Sequence, residues 1–145
     1  MEDCIALYKG PPSSLWHTIT HYATCFFLSV RKLQWVRHSH AELCIDGVCY
    51  SSSVRDGGVR SKLIDLSSGR WDIKPTALTP TKKQAALDRF REFEGWPYDF
   101  LGAVGVVLPF VHHLRYKLFC FEVVAEMLGM DDPSHVTPVE LSRYK

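Results

Sequence analysis

The clearest hydrophobic pattern in the chain lies between residues 118 and 129. Apolar side chains recur there at helical spacing, and Glu122 and Glu126 lie four residues apart on another face. Gly129 follows the apolar stripe, in the position typical of a helix C-terminal cap. The pattern therefore predicts a helix with Cys120 in its first turn. The stripe consists of Phe119, Val123, Val124, Met127 and Leu128.

Hydrophobic and polar residues alternate from residue 40 to residue 46, which is the pattern of a strand with one buried face. The Asp46-Gly47 pair that ends this stretch is a strong signal for a two-residue hairpin turn. The turn fixes the partner strand, because each residue before it then lies opposite one after it. The predicted pairs are Ile45 with Val48, Cys44 with Cys49, Leu43 with Tyr50 and Glu42 with Ser51.

The predicted hairpin has one apolar and one polar face. We expect the apolar face to contact the core, whereas the sequence offers no reason to bury the polar face. The apolar face carries Ala41, Leu43, Ile45, Val48 and Tyr50. The polar face carries His40, Glu42, Ser51 and Ser53.

Three further strands are predicted from short apolar runs at residues 4–8, 59–66 and 70–73. Turn-forming glycines and serines bound these runs, as expected for loops. We predict that the hairpin and the two later strands form an antiparallel meander, which with the helices gives an α+β fold.

Helix signals flank this sheet on both sides. Ser13 or Ser14 begins a predicted helix that runs to about residue 24, and residues 25–36 show neither period cleanly. Capping boxes predict one helix from Thr81 to about residue 94 and another from Thr137. Asp99 is predicted to cap an apolar, glycine-containing helix. Pro138 follows Thr137 at the first helical position of the last helix.

Composition and charge place the chain among ordinary globular proteins. Its 145 residues, 46% hydrophobic and 23% charged, suit a single domain over residues 1–145. A net charge of +1 gives no electrostatic basis for binding nucleic acid or an anionic membrane surface. The longest apolar run, near residues 101–111, is too short to cross a bilayer. We therefore expect no nucleic-acid partner and no transmembrane segment.

The first residues lack the basic and apolar regions of a signal peptide, so we expect a cytoplasmic protein. Five cysteines are spread without a regular framework, which favours reduced thiols in such a compartment. A disulfide between Cys44 and Cys49 is geometrically conceivable across the hairpin, but a reducing compartment argues against it.

Cys120 and His40 are the candidate chemical pair. A thiol in the first turn of a helix lies at the positive end of the helix dipole, which favours the nucleophilic thiolate. His40 is the best candidate for its base, and Glu42, two residues along the same strand face, is placed to orient the imidazole. The alternative interpretation is that Cys120 is an inert core residue, which is the commoner role of a free cysteine.

A metal site is the rival chemistry in the same region. The hairpin could bring His38, His40, Cys44 and Cys49 together, and His112 and His113 are adjacent. Two histidines flanking a single residue, without a second spaced pair, are a weak zinc signature. We therefore predict no metal and no cofactor.

Three short motifs occur along the chain in a particular order. They are Ser39-His40-x-Glu42 on a predicted strand, Tyr98-Asp99-Phe100-Leu101-Gly102, and Phe119-Cys120-x-Glu122-x-Val124-Ala125-Glu126 on a predicted helix. The set resembles the circularly permuted branch of the NlpC-type papain-like superfamily, in which the histidine strand precedes the cysteine helix. Small members of this kind occur in bacteria and bacteriophages, and the lecithin retinol acyltransferase group is a permuted relative.

The resemblance implies a papain-like fold in which an antiparallel sheet packs against the Cys120 helix. It carries Cys120 over as nucleophile and His40 as base, and Tyr98 resembles a tyrosine that lines the cleft of related enzymes. Relatives often place the third polar residue on the next strand, where this chain has Ser51 and Ser53, so Glu42 is our choice for that role. Many relatives have serine where this chain has Phe121, which bears on the oxyanion region. Ser51 and Phe121 are therefore predicted, with Tyr98, to contact substrate.

The predicted function is hydrolysis of an amide bond through an acyl-enzyme, with a peptide, an isopeptide or a cell-wall peptide as substrate. If a bacteriophage encodes the chain, we expect it in the host cytoplasm. Two alternatives remain open. One is a catalytically silent binding module of the same fold, which Phe121 and the missing acid on the second strand favour. The other is a lipid or acyl transferase, for which residues 104–110 provide the only apolar lip.

Overall fold

A five-stranded antiparallel sheet with helices forms the part of the chain that the structure describes, so the fold is α+β. The structure is a computed structural model, and it describes residues 2–10, 22, 25, 26, 29, 37–99 and 116–144. The strands are β1 (Cys4–Tyr8), β2 (His40–Ile45), β3 (Val48–Ser53), β4 (Gly58–Lys62) and β5 (Trp71–Pro75). The α-helices are α1 (Pro80–Phe93), α2 (Cys120–Met127) and α3 (Pro138–Ser142), and short 3-10 helices cover Leu66–Ser68 and Pro133–His135.

The β2–β3 hairpin confirms the predicted turn and register. Asp46 and Gly47 both have positive φ, at 50° and 88°, as a tight turn matched to the strand twist requires. The pairs observed across the hairpin are Leu43 with Tyr50, Cys44 with Cys49 and Ile45 with Val48. The parity of this register assigns every residue of the hairpin to one face of the sheet.

The predicted meander is wrong in its last strand. The strand order is β4-β3-β2-β1-β5, so β5 pairs with β1 at the far edge instead of with β4. The connection that crosses the sheet contains the 3-10 helix Leu66–Ser68, and Leu66 packs beneath the sheet against Cys4 and Cys44. The burial of Leu66 there favours a path that takes the chain across the sheet to the open edge of β1.

The helices agree with the sequence in most respects. The α2 helix begins with Cys120 in its first turn, and Gly129 follows it with a φ of 64°, as predicted for the C-terminal cap. The α3 helix has the predicted Thr137 cap and Pro138 at its first position. The α1 helix starts earlier than predicted, because the Thr79 hydroxyl accepts the Lys82 N–H at 3.3 Å. The helix predicted at residues 13–24 lies outside the described residues except for Tyr22. The helix predicted after Asp99 also lies outside them.

The apolar face of the sheet packs on α1 and α2 and forms the main core, as predicted, although Val48 is only half-buried and lies outside it. Ala41, Leu43 and Ile45 from β2 are each at most 1% exposed there. Helix α1 contributes Ala86, Phe90 and Phe93, and α2 contributes Phe119, Val123, Val124 and Met127. This packing holds α2 against β2 and β3.

The middle of the hairpin's polar face is buried, which the sequence did not indicate. Glu42 and Ser51 are both 0% exposed. The Ser51 hydroxyl donates to the Ala41 carbonyl at 2.6 Å, and Glu42 is held by charged neighbours described below. Burial of these groups is possible because each has hydrogen-bond partners.

Cys44 and Cys49 form a disulfide, contrary to the expectation of reduced thiols. The two residues are directly opposed in the hairpin register, with their Cα atoms 4.1 Å apart. The same buried face holds Cys4, which lies opposite Cys44 on β1. Cys4, Cys25 and Cys120 are free thiols.

Among the described residues, no helix has both the length and the apolar character needed to cross a membrane.

Candidate active site

Cys120 is the first residue of α2, and the residues around it fix the start of that helix. Phe119 is the N-cap residue, and its N–H lies 3.5 Å from the Glu122 Oε2 that accepts it. Phe119 is also 1% exposed, so its ring anchors the chain in the core directly before the helix begins. The Cys120 thiol therefore stands at the positive end of the helix dipole.

His40 and Glu42 contact each other on one face of β2. The His40 Nε2 atom lies 2.8 Å from Glu42 Oε1, which agrees with two residues one strand period apart. An ionised carboxylate only accepts hydrogen bonds, so Nε2 carries the proton. The remaining ring nitrogen, Nδ1, is then available to the thiol.

The charge of Cys120 also acts on the His40 imidazole. Burial alone would disfavour the imidazolium, but the charge and hydrogen bond of Cys120, together with Glu42, raise the pKa of His40 to about 10. The structure therefore brings together the three residues that the sequence predicted as a set. The His40 side chain is 23% exposed, so part of it remains accessible to solvent.

Arg60 on β4 is a member of this cluster that the sequence analysis missed. Its two terminal nitrogens donate to the two Glu42 oxygens at 2.6 and 2.7 Å. Burial opposes ionisation of Glu42, but the hydrogen bonds from Arg60 and then from His40 outweigh it and lower the pKa of Glu42. The alternation of side chains along the strands could have revealed Arg60, because Arg60 lies opposite Ser51 on the face that carries Glu42.

Tyr98 lies beside the start of α2. A bridge pairs Tyr98 with Leu118, and the Asp99 N–H donates to the Leu118 carbonyl at 3.2 Å. Burial raises the pKa of Tyr98 well above its usual value, with further contributions from the charges of Cys120 and Asp99. The phenol therefore stays protonated as a potential donor near the thiol.

The other two residues predicted to contact substrate occupy buried positions. Ser51 is fully buried, with its hydroxyl on the Ala41 carbonyl. Phe121 is 4% exposed and packs edge to face on Phe119, with ring centroids 6.3 Å apart. Both residues thus support the site from within, and neither presents an open surface beside Cys120.

An aromatic and charged border lies on the other side of His40. Its ring centroid is 6.3 Å from that of Trp71, which stacks edge to face on Tyr8. The neighbouring His38 pairs with Asp72 at 2.8 Å. Within residues 37–99 and 116–144, no three metal-binding side chains come together, and His38, Cys44 and Cys49 of the rival zinc site have other partners. His112, His113 and the apolar stretch 104–110 lie outside the described residues.

Comparison of the chain with protein-family models, with curated proteins and with solved structures found no match. A thiol at a helix N-terminus, an imidazole whose pKa it raises, and a buried carboxylate on the imidazole form the kind of arrangement that nucleophilic thiol catalysis requires.

Proposed function

We propose that this chain is a thiol hydrolase that cleaves amide bonds, in a circularly permuted papain-like domain. One observation carries the proposal: the His40 ring is held by Glu42 at 2.8 Å, and Cys120 at the start of α2 raises the pKa of the same ring. An inert core cysteine needs no such partner. The order of the histidine strand before the cysteine helix supports the permuted form of the fold.

The proposed reaction begins from a thiolate–imidazolium pair, with the Cys120 proton on His40. The thiolate attacks the amide carbonyl carbon and forms a C–S bond, while the carbonyl oxygen gains the negative charge. The Cys120 backbone N–H and the Tyr98 hydroxyl are the candidate donors to that oxyanion. His40 then gives its proton to the departing amine, which leaves a thioester on Cys120.

The second half of the reaction restores the enzyme. Water enters on the exposed side of His40, gives a proton to the imidazole and attacks the thioester carbonyl. The C–S bond breaks, the carboxylic acid leaves, and the thiolate–imidazolium pair is regenerated. Glu42 keeps the imidazole in one tautomer and one orientation throughout. Peptides, isopeptides and cell-wall peptides are the proposed substrates.

Acylation of the intact protein tests this proposal directly. The chain is incubated with p-nitrophenyl acetate, a reactive acyl donor, and peptide mass spectrometry locates the acetyl group. We expect a burst of p-nitrophenol and a thioester at Cys120 that Cys120→Ala abolishes and His40→Ala slows at least about a hundredfold. Equal acetylation of Cys4, Cys25 and Cys120, or a rate unaffected by His40→Ala, would refute the proposal. Peptide amides then replace the ester to identify the substrate.

A further inference from the structure

The Glu42 carboxylate has a position that is costly for an isolated charge. It is 0% exposed, and the residue across from it on β1 is Ala6, which offers no polar side chain. An ionised group in such a place loses its hydration and is stable only when charged donors replace the water. His40 supplies one hydrogen bond, and the other donors come from β4.

Arg60 supplies those donors with a fixed geometry. Two nitrogens of its guanidinium meet the two oxygens of Glu42, which is the fork-to-fork pairing that fixes both the position and the plane of a carboxylate. The Arg60 side chain is 14% exposed, so solvent screens this pair only weakly. Lysine carries the same charge but cannot make the paired contact.

The guanidinium is itself held from behind. The Arg60 Nε donates to Asp56 Oδ2 at 2.8 Å, and Lys62 donates to both Asp56 oxygens at 2.8 and 3.0 Å. Although burial works against it, hydrogen bonds from Lys62 and Arg60 lower the pKa of Asp56 to about 2. Opposite charges thus alternate across the sheet from His40 to solvent. In order, the groups are His40, Glu42, Arg60, Asp56 and Lys62.

From this geometry we propose that Arg60 is a positioning residue of the Cys120 site, which keeps Glu42 ionised and aligned so that Glu42 can hold His40. This inference rests on the proposed function for its catalytic meaning. It adds β4 and the turn before it, residues 54–57, to the elements on which the resemblance placed the site residues. Without Arg60, the buried Glu42 carboxyl should take up a proton within the working pH range.

The first test reads Glu42 itself. Carboxyl 13C NMR follows the titration of Glu42 in the wild-type chain, in Arg60→Lys and in Arg60→Met. We expect the pKa of Glu42 to rise by at least about one unit in Arg60→Met and by less in Arg60→Lys. Arg89→Met is the matched control, because it removes an exposed arginine–glutamate pair, with Glu126, and should leave Glu42 unchanged. A Glu42 titration unaffected by Arg60→Met would overturn the inference, and Arg60→Lys decides the matter if Arg60→Met does not fold.

The second test separates positioning from a merely structural role. We expect Arg60→Met to slow iodoacetamide labelling of Cys120 by a larger factor at pH 5.5 than at pH 8.5, because Glu42 releases His40 only when it is protonated. Combining Arg60→Met with Glu42→Gln removes the buried carboxylate. Labelling of Cys120 should then be slowed by the same factor at both pH values. A loss of the same size at both pH values would show that Arg60 only supports the fold.

The two tests also distinguish this inference from the proposed function. If wild-type Cys120 labels no faster than the other free thiols, the hydrolase proposal fails, and the Glu42 titration still decides whether Arg60 holds the carboxylate.

Discussion

The two nitrogens of the His40 ring have different tasks in this site. Nε2 donates to Glu42, which is an obligate acceptor while it is ionised, and this fixes the tautomer. The other side of the ring interacts with Cys120. A histidine so placed between a carboxylate and a thiol is stabilised as the imidazolium.

The effect of Cys120 on His40 leads to a prediction about titration. Cys120→Ala removes the contribution of the thiol, so the pKa of His40 should fall from about 10 toward its ordinary value. Imidazole NMR signals followed across the pH range measure the change. Cys25→Ala is the control, because it removes a buried thiol at a different place in the chain. A His40 pKa that is the same in both variants would contradict the contact with Cys120.

The same shift has a consequence for stability. The folded chain holds the His40 proton more tightly than the ordinary value of 6.5 allows, so this contribution is complete below about pH 6.5. It is lost as the pH rises through about 10. Urea unfolding at several pH values should show this loss in the wild-type chain and a smaller one in Cys120→Ala.

At the residue scale, the sequence predicted neighbours along one strand better than neighbours across strands. His40 and Glu42 share a face because side chains alternate, and this needs no knowledge of the fold. Arg60 reaches Glu42 from β4, two strands away, and finding it requires the register of β3 with β4. The Gly57-Gly58 turn leaves that register open, since loops with two glycines allow several backbone paths.

At the scale of elements, backbone contacts between β4 and the segment after α1 keep Tyr98 next to α2. Gly58 pairs with Pro97, and the Val59 N–H donates to the Trp96 carbonyl at 2.8 Å. Gly58 has a φ of 146°, and a Cβ at this residue would lie 2.0 Å from the Trp96 carbonyl oxygen. Only glycine fits this close approach.

Replacing Gly58 should therefore disturb both stability and the site. We expect Gly58→Ala to lower the free energy of unfolding by about 3 kcal/mol, because the backbone of residues 96 and 97 must move. Gly57→Ala, which meets no atom within 4 Å but keeps a positive φ, should cost about 1 kcal/mol. Urea denaturation measures both variants. Equal losses would show that the contact with Trp96 does not constrain the chain.

The elements themselves were predicted where their signals are local. The Asp46-Gly47 turn, the Thr137 cap and the stripe on α2 each depend on a few neighbouring residues. The path of β5 does not depend on neighbouring residues, because its pairing with β1 joins segments more than sixty residues apart. Burial of Leu66 decides that path, and a single leucine between two strands gives no sign of it in the sequence.

At the scale of the whole molecule, the sheet has two buried faces with different contents. One face packs on the helices, and the other holds the charged cluster of Glu42 and Arg60 together with the cysteines of β1, β2 and β3. Alternation predicted the division between faces but not the burial of the second, because serine, glutamate and arginine ordinarily lie in solvent. The partners that make burial possible come from distant segments.

The Cys44–Cys49 disulfide closes the hairpin at the centre of this second face. With a sequence separation of 5, it should contribute about 2 kcal/mol to stability through the unfolded chain. The protein purified without reductant and then unfolded should show three thiols, and five after reduction. Reductant should lower the stability of the wild-type chain but not of Cys49→Ala. Five thiols before reduction would contradict the disulfide.

The central claim is that Cys120 is an activated nucleophile paired with His40, and competitive labelling of the native protein tests it most directly. Iodoacetamide is applied from pH 5 to pH 9, and peptide mass spectrometry gives the labelling rate of each cysteine in the wild-type chain and in His40→Ala. An ordinary thiol gains reactivity only near pH ~8.5. The account predicts fast labelling of Cys120 already at pH 6, slow labelling of Cys4 and Cys25, and loss of that advantage in His40→Ala. A Cys120 that labels no faster than Cys4 and Cys25 at every pH would contradict it.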